Sequence, residues 1–318
     1  MNAEGMGTEA SAYVGRLLVV CTCLSVALTG CGVESANPPH AACDDALTSF
    51  GEIRDLGEHR EVTVHFSCAG AMQAAIIYLP IGAGPFPGVV WVHGDGPMKR
   101  LSYGPGITSA LVKAGVAVLS YDKRGVGESQ GVCCPGDRGD FDLIAADATE
   151  AVNALRSVEG IDARHVGLVG ASQAGWLVPV AAVRSPNVAF TAVADGPTVT
   201  QGEERLYSLL TGEEGAGGGS LSNRAVAFRL KRVGPSDFDP LPFLERMPVP
   251  GLWLYGDHDR SIPTDQCVSI LRRINAAGKD FSVVTFPGAG HGLLDNPPSD
   301  PRALPVLVTW ILKQAATS

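Results

Sequence analysis

A lone serine between small residues is the first candidate for chemistry in this sequence. Ser172 follows the apolar run 166–169 and is flanked by Gly170 and Ala174, and a helical pattern comes after it. The pattern predicts a strand, a sharp turn and a helix, with the hydroxyl projecting from the carboxyl edge of a sheet. Gly170 and Ala174 are small, as they must be where strand and helix pass closely. Ser172 is therefore a candidate nucleophile, and a solvated serine in an ordinary turn is the alternative.

A serine hydroxyl becomes a nucleophile only when a base takes its proton, and that base needs a carboxylate to orient it. Two later loops carry these residue types. Asp257 and Asp259 follow the apolar run 252–255, and His291 follows the run 283–286 in a glycine-rich loop. The chain order of the candidate groups is thus serine, acid, histidine.

The periodicity of the sequence predicts the elements that would position these residues. Continuous apolar runs alternate with helical patterns, which indicates a doubly wound, mostly parallel sheet with helices on both faces. The predicted strands are 89–92, 116–121, 166–169, 189–194, 252–255 and 283–286, and the predicted helices lie near 106–114, 142–157, 174–184, 264–277 and 302–315. Before them, runs 61–67 and 72–79 predict an antiparallel hairpin. Ligands of such sheets meet the carboxyl ends of the strands, where the candidate residues fall.

These features together resemble the α/β-hydrolase family, with Val166–Gly175 similar to its nucleophile elbow. The sequence departs from the elbow pattern G-x-S-x-G by carrying Ala174 at the last position, with Gly175 one residue later. The resemblance covers about residues 60–315 and implies an α/β-hydrolase fold with an amino-terminal hairpin. The long segment 196–248 then becomes an inserted cap, and we expect it to be irregular. Bacterial esterases, dienelactone-hydrolase-like and prolyl-peptidase-like enzymes are the most similar branches.

The resemblance also implies roles for single residues. In family members the acid stands three positions after a strand-end glycine and before a hydrophobic–proline pair, which favours Asp259 over Asp257 here, because Gly256 and 262–263 fit that spacing. His291 would be the general base.

Stabilisation of the oxyanion is expected from two backbone amides. One is the amide of Gln173 at the start of the helix after the serine. The other is the amide of Asp95, because the stretch 93–95 resembles the family's H-G-x turn. The stretch 122–129 resembles the family segment Y-D-x-R-G-x-G-x-S, whose aspartate and arginine are expected to brace loops.

The function that follows is hydrolysis of carboxylic esters through an acyl-enzyme. A peptidase or thioesterase using the same triad, or a catalytically silent ligand-binding lipoprotein, are the alternatives. Apolar side chains of the cap, among them Leu210 and Phe228, are expected to line an acyl site or else only to pack the cap onto the domain.

The amino terminus has the features of an export signal. An apolar run at 17–28 has the length of a signal-peptide core, and Leu28-Thr29-Gly30-Cys31 resembles a bacterial lipobox. We expect a lipoprotein-type signal at 1–30, an acylated Cys31 and anchoring to the bacterial cell envelope, with a plain secretory signal or a buried hairpin as alternatives. Residues 31–59 would form a tether and amino-terminal segment, and 60–318 the hydrolase domain.

Composition limits the partners. The 318 residues carry a formal net charge of −9, which argues against nucleic-acid binding. No cluster has metal-ligand spacing, so neither a metal nor another cofactor is expected, and the partner is a small ester substrate. Export would permit disulfides, and Cys43 with Cys68 is a candidate pair that would staple the amino-terminal segment to the hairpin.

Overall fold

A computed structural model describes Cys43, residues 46–100, Ser102, and residues 105–133, 139–212, 221, 223–233, 236–295 and 297–317. The predicted signal segment 1–30 and the predicted lipidation site Cys31 lie outside the described residues. None of the helices in the described ranges combines the length and the apolar run that crossing a bilayer would require.

Nine strands and eight helices follow one another along the described chain. They are β1 (Thr48–Asp55), β2 (Arg60–Cys68), β3 (Ala71–Leu79), β4 (Phe86–Val92), α1 (Pro105–Lys113), β5 (Ala117–Tyr121), α2 (Gly139–Arg156), β6 (Ile161–Ala171), α3 (Ala174–Arg184), β7 (Thr191–Ala194), α4 (Gln201–Thr211), α5 (Asn223–Val233), α6 (Leu241–Leu244), β8 (Gly251–Gly256), α7 (Thr264–Ala276), β9 (Phe281–Phe286) and α8 (Ala303–Ala315).

All nine strands form one sheet in the order β1-β2-β3-β5-β4-β6-β7-β8-β9. The pairs from β1 through β3 to β5 are antiparallel, whereas the pairs from β5 through β4 to β9 are parallel. The α/β-hydrolase fold predicted from the sequence is therefore confirmed, including its amino-terminal antiparallel strands.

The inner strands of the parallel half are apolar on both faces because helices cover both, whereas the edge strand β9 exposes Ser282 and Thr285. Val90 and Val92 of β4 point into a core cluster with α2, α3 and α7. Val89 and Trp91 point into a second cluster with α1 and α8. This alternation between two cores explains the continuous apolar runs in the sequence.

Strand β1 is an addition to the predicted hairpin. It pairs with β2 at the edge of the sheet, and every one of its residues is exposed. An exposed strand buries neither face, so it lacks the apolar pattern by which the other strands are recognisable. The predicted bond between Cys43 and Cys68 is present and ties the segment before β1 to the end of β2.

The segment between β7 and β8 corrects the expectation of an irregular cap, because it contains α4, α5 and the short α6. The start of α4 carries a sequence signal that explains its position. The Thr200 side chain accepts a hydrogen bond from the Glu203 amide while the Glu203 carboxylate accepts one from the Thr200 amide, which is a capping box. Gly212 ends the helix with a left-handed φ of 82°.

Candidate active site

Ser172 lies between β6 and α3 and has a φ of +55°, a backbone conformation that residues other than glycine rarely adopt. Such strain is retained only where the surroundings enforce it. The Ser172 amide donates to the Ala194 carbonyl of β7 at 2.9 Å, and the Ser172 carbonyl accepts from the Gly175 amide at 2.8 Å. These bonds hold the serine in a tight turn at the carboxyl edge of the sheet.

The small residues around the serine are required by close backbone contacts. A Cβ on Gly170 would lie 2.5 Å from both the Ala174 Cβ and the Val92 carbonyl oxygen. A Cβ on Gly175 would lie 2.5 Å from the backbone carbon of Gly196. The methyl group of Ala174 fits here because the facing residue, Gly170, has no side chain. Gly175 is needed for a separate contact, with the loop after β7.

His291 and Asp259 are in contact, as the sequence predicts. They lie in the loops that follow the neighbouring strands β9 and β8. Nδ1 of His291 is 2.8 Å from Oδ2 of Asp259. The other carboxylate oxygen accepts the amides of Ser261 and Ile262, both at 2.8 Å. Asp259 is 3% exposed, so its carboxylate lies away from bulk water. The three hydrogen bonds fix its orientation.

Asp257, the alternative acid, points elsewhere. Its Oδ1 accepts the Gly288 amide at 2.6 Å, and its side chain is exposed. The structure therefore brings Asp259 to His291 and leaves Asp257 on the surface.

The environment of His291 favours the protonated imidazole. Burial acts to lower its pKa, but the hydrogen bond and charge of Asp259, together with the charges of Asp195 and Asp295, raise the pKa to about 9. A histidine in this environment is a strong proton acceptor once it is neutral.

The two residues predicted to supply oxyanion amides lie together beside the serine. The side-chain amide of Gln173 donates to Oδ1 of Asp95 at 3.0 Å. Its oxygen accepts from Nζ of Lys123 at 2.9 Å. Lys123 also donates to the carbonyls of Gly94 and Gly96, at 3.0 and 3.3 Å, so one buried ammonium joins Gln173 to the first residues of the loop after β4.

A cavity of about 240 Å³ opens next to Ser172. Its walls are largely polar, since α4 contributes Gln201, Glu204, Arg205 and Ser208 to them. The expectation that Leu210 and Phe228 line an acyl site is wrong for this cavity. Neither lines it, and Phe228 is 59% exposed. The four polar residues of α4 share one side of the helix by their spacing, and this side faces the serine instead.

Asp195 and Lys123 are site residues that sequence reasoning missed. Both follow strand ends, Asp195 directly after β7 and Lys123 two residues after β5, and this position was the available signal. Asp122 and Arg124, by contrast, brace loops as expected. Asp122 accepts from Arg100 and from the Glu128 amide, and Arg124 pairs with Asp147.

Together with Asp195, the acid–histidine pair also forms a group of metal-ligand residue types among the described residues. One carboxylate oxygen each of Asp195 and Asp259 and one ring nitrogen of His291 lie within 4.8 Å of one another. Nδ1 of His291 and both oxygens of Asp259 are already used in the hydrogen bonds described above, an arrangement suited to proton transfer.

Comparison with known proteins agrees with this architecture. Esterase EstD of Thermotoga maritima is 26% identical over 244 residues, which are 68% of this chain and 56% of that protein. The acylamino-acid-releasing enzyme of Rattus norvegicus is 25% identical over 214 residues, 65% of this chain and 29% of that protein. The chain thus spans about half, or less, of the length of these relatives.

A solved structure shows the same fold. Acetyl xylan esterase 1 from Thermoanaerobacterium sp. superposes with a TM-score of 0.60 at 18% identity, over 85% of this chain and 87% of that one. The sequence model of the alpha/beta hydrolase family matches residues 89–304. Because this match takes in well over half of the chain, the protein belongs to the alpha/beta hydrolase family.

Proposed function

We propose that this chain is a serine hydrolase that cleaves carboxylic esters, with Ser172 as nucleophile, His291 as general base and Asp259 as the acid that orients it. The observation that carries the proposal is the 2.8 Å contact between His291 and the buried Asp259, at the sheet edge that also holds the strained Ser172 turn. A buried acid–histidine pair at the same sheet edge as such a serine is the combination of groups that acyl transfer needs.

The reaction proceeds in two steps. Nε2 of His291 takes the Ser172 proton as Oγ attacks the ester carbonyl, and the resulting imidazolium is stabilised by Asp259. The backbone amides of Asp95 and Gln173 donate to the oxyanion. Collapse of the intermediate expels the alcohol, which receives the proton from His291. Water then repeats the sequence on the acyl-enzyme and releases the acid.

The cavity beside the serine favours a small polar substrate. Its wall brings the charged side chains of Glu204 and Arg205 and the hydroxyls of Ser208 and Ser261 near Ser172. A long alkyl chain would desolvate these groups without giving them hydrogen bonds, which costs about 1–3 kcal/mol per group. Short acyl groups on polar alcohols avoid that cost.

The test is a matched panel of substrates. Nitrophenyl esters of graded acyl length, acetyl esters of polar and apolar alcohols, an acyl thioester and an acylaminoacyl anilide are compared by kcat/KM. We expect the short acyl ester of a polar alcohol to react best and the Ser172→Ala variant to be inactive on all of them. Equal activity of wild type and Ser172→Ala would exclude the proposal.

Two alternatives remain in the same test. A preference for the anilide or the thioester would indicate the peptidase or thioesterase, and relatives named acylamino-acid-releasing enzyme and thiohydrolase give these classes some support. No turnover of any substrate would favour the silent ligand-binding lipoprotein.

We also propose that the protein is exported and anchored to the bacterial cell envelope through an acylated Cys31. The bond between Cys43 and Cys68 supports an oxidising compartment. Cys31→Ser should release the protein from the membrane fraction or block its processing, whereas a wild type that is fully soluble after export would exclude the anchor.

A further inference from the structure

Asp195 is a second buried carboxylate at the proposed active site. It follows β7 directly, is 1% exposed and has a left-handed φ of +50°. Aspartate adopts this conformation more readily than most residues, but at a cost that the surroundings must offset. Like Ser172, it is a strained residue at the carboxyl edge of the sheet.

The backbone around Asp195 connects two of the segments that carry the proposed triad. Its own amide donates to the Leu254 carbonyl of β8 at 2.8 Å, and the preceding Ala194 carbonyl accepts the Ser172 amide at 2.9 Å. The turn of the serine and the strand before Asp259 are therefore both bonded to the end of β7.

The Asp195 side chain extends these connections to the histidine loop. Its Oδ2 accepts the amides of Gly292 and Leu293, at 3.0 and 2.7 Å. These are the two residues after His291, so the Asp195 carboxylate fixes the backbone next to the imidazole-bearing residue. No hydrogen-bond donor among the described residues reaches its Oδ1.

The charges that face Asp195 are those of the proposed triad. His291 and Asp259 interact with it electrostatically, and the neutral Tyr255 phenol lies on the β8 side with its hydroxyl bonded to the Gly196 carbonyl. Asp295 adds a further negative charge near His291. Burial raises the pKa of Asp195 to about 7, so its carboxylate is charged above that pH.

We infer that Asp195 is a positioning residue of the proposed reaction, which holds the His291 loop through two backbone amides and stabilises the protonated imidazole with its charge. This inference rests on the function proposed above. Nδ1 of His291 stays with Asp259 throughout, and Asp195 makes no covalent bond and transfers no proton.

Two variants separate the two parts of this role. Asp195→Asn keeps an oxygen that accepts from the Gly292 and Leu293 amides but removes the charge, whereas Asp195→Ala removes both. A carboxylate oxygen of Asp195 and a ring nitrogen of His291 lie within 4.8 Å of each other. Loss of this negative charge should lower the pKa of His291, so the acidic limb of the kcat/KM profile shifts to lower pH by about one unit. The maximal kcat/KM falls roughly tenfold, because the imidazolium of the transition state loses its second carboxylate.

Asp195→Ala should lose on the order of 10²-fold in kcat/KM, since the histidine loop is then free to shift from its reactive position. Asp257→Asn is the matched control, because it removes an exposed carboxylate from the neighbouring loop. It should leave the acidic limb of the kcat/KM profile at the same pH as in the wild type.

A measurement independent of turnover completes the test. The downfield imidazole proton of His291, followed by NMR, should titrate at lower pH in Asp195→Asn than in the wild type. In the wild type itself, the Asp195 carboxyl carbon should shift as His291 titrates, which tests the contact if the variants do not fold. If both signals are unaffected while the wild type still reacts at Ser172, the inference on Asp195 is wrong and the proposed function stands. If the wild type does not react at Ser172, the proposed function itself fails.

Discussion

Asp259 and Asp257 lie two positions apart on the same loop, yet only Asp259 contacts His291. Loss of the orienting acid in a triad costs on the order of 10⁴ in kcat. We therefore expect Asp259→Asn to approach that loss in steady-state assays on a nitrophenyl ester, while Asp257→Asn stays within a small factor. The reverse ranking would contradict the proposed role of Asp259.

The pH dependence of activity follows from the environment of His291. The free enzyme must hold this imidazole neutral to accept the Ser172 proton, and its pKa is raised to about 9. Activity should thus increase with pH up to about pH 9 and be low in acid, where the imidazole already carries its proton. Measurement of kcat/KM from about pH 6 to about pH 10, corrected for spontaneous hydrolysis, checks this, and a plateau reached below pH 7 would contradict it.

Single residues differed in how far the sequence predicted them. Ser172, Asp259 and His291 carry motif signals, namely small neighbours, a fixed distance from a strand-end glycine and a glycine-rich loop. Asp195 and Lys123 belong to no such motif and are marked only by their position after a strand end, because their importance comes from hydrogen bonds to the Gly292 amide and the Gln173 side chain. Those partners lie far away in the sequence, and only the fold brings them close.

At the scale of elements, the junction of β6 and α3 depends on glycines that touch other backbone. Gly175 abuts the Gly196 backbone, so a methyl group there would force two main chains apart. We expect Gly175→Ala to lower both the melting temperature and kcat, because the serine turn cannot close.

Gly106 in α1 is the matched control for that variant. A Cβ at this position would meet nothing within 4 Å, and its φ lies outside the left-handed range. Gly106→Ala should leave activity unchanged and stability equal or slightly higher, since alanine favours helix by up to about 1 kcal/mol. Equal melting temperatures for Gly175→Ala and the wild type would contradict the close packing of this junction.

Most strands and helices were predictable because each buries a regular apolar pattern. The exceptions have physical reasons. Strand β1 is exposed along its whole length, so it lacks a core-facing pattern. Helix α4 is more polar than the core helices, and its capping box at Thr200 and Glu203 was the signal by which it was recognisable. The direction in which α4 turns its charged residues depends on packing, which the sequence does not specify.

At the scale of the whole molecule, the buried pair of Arg124 and Asp147 joins the loop after β5 to α2. Nε of Arg124 donates to the Asp147 carboxylate at 2.9 Å, and Nη2 donates to the Cys68 carbonyl. Burial nevertheless raises the pKa of Asp147 to about 6. Removing the cation leaves a buried carboxylate unpaired, which costs about 3–5 kcal/mol.

We therefore expect Arg124→Met to lower the free energy of unfolding by that amount in urea denaturation. Arg54→Met is the matched control, because Arg54 pairs with Glu61 at the surface, where such pairs contribute at most about 1 kcal/mol. Similar losses in the two variants would contradict the structural role assigned to the buried pair.

The central claim is that Ser172 is a nucleophile activated by His291, and covalent labelling tests it most directly. The wild-type protein is treated with a fluorophosphonate, digested, and the adduct located by mass spectrometry. We predict one adduct on the peptide that contains Ser172, no adduct in Ser172→Ala, and greatly slowed labelling in His291→Ala with the fold unchanged by circular dichroism. An adduct on another serine, or undiminished labelling of Ser172→Ala, would contradict the account.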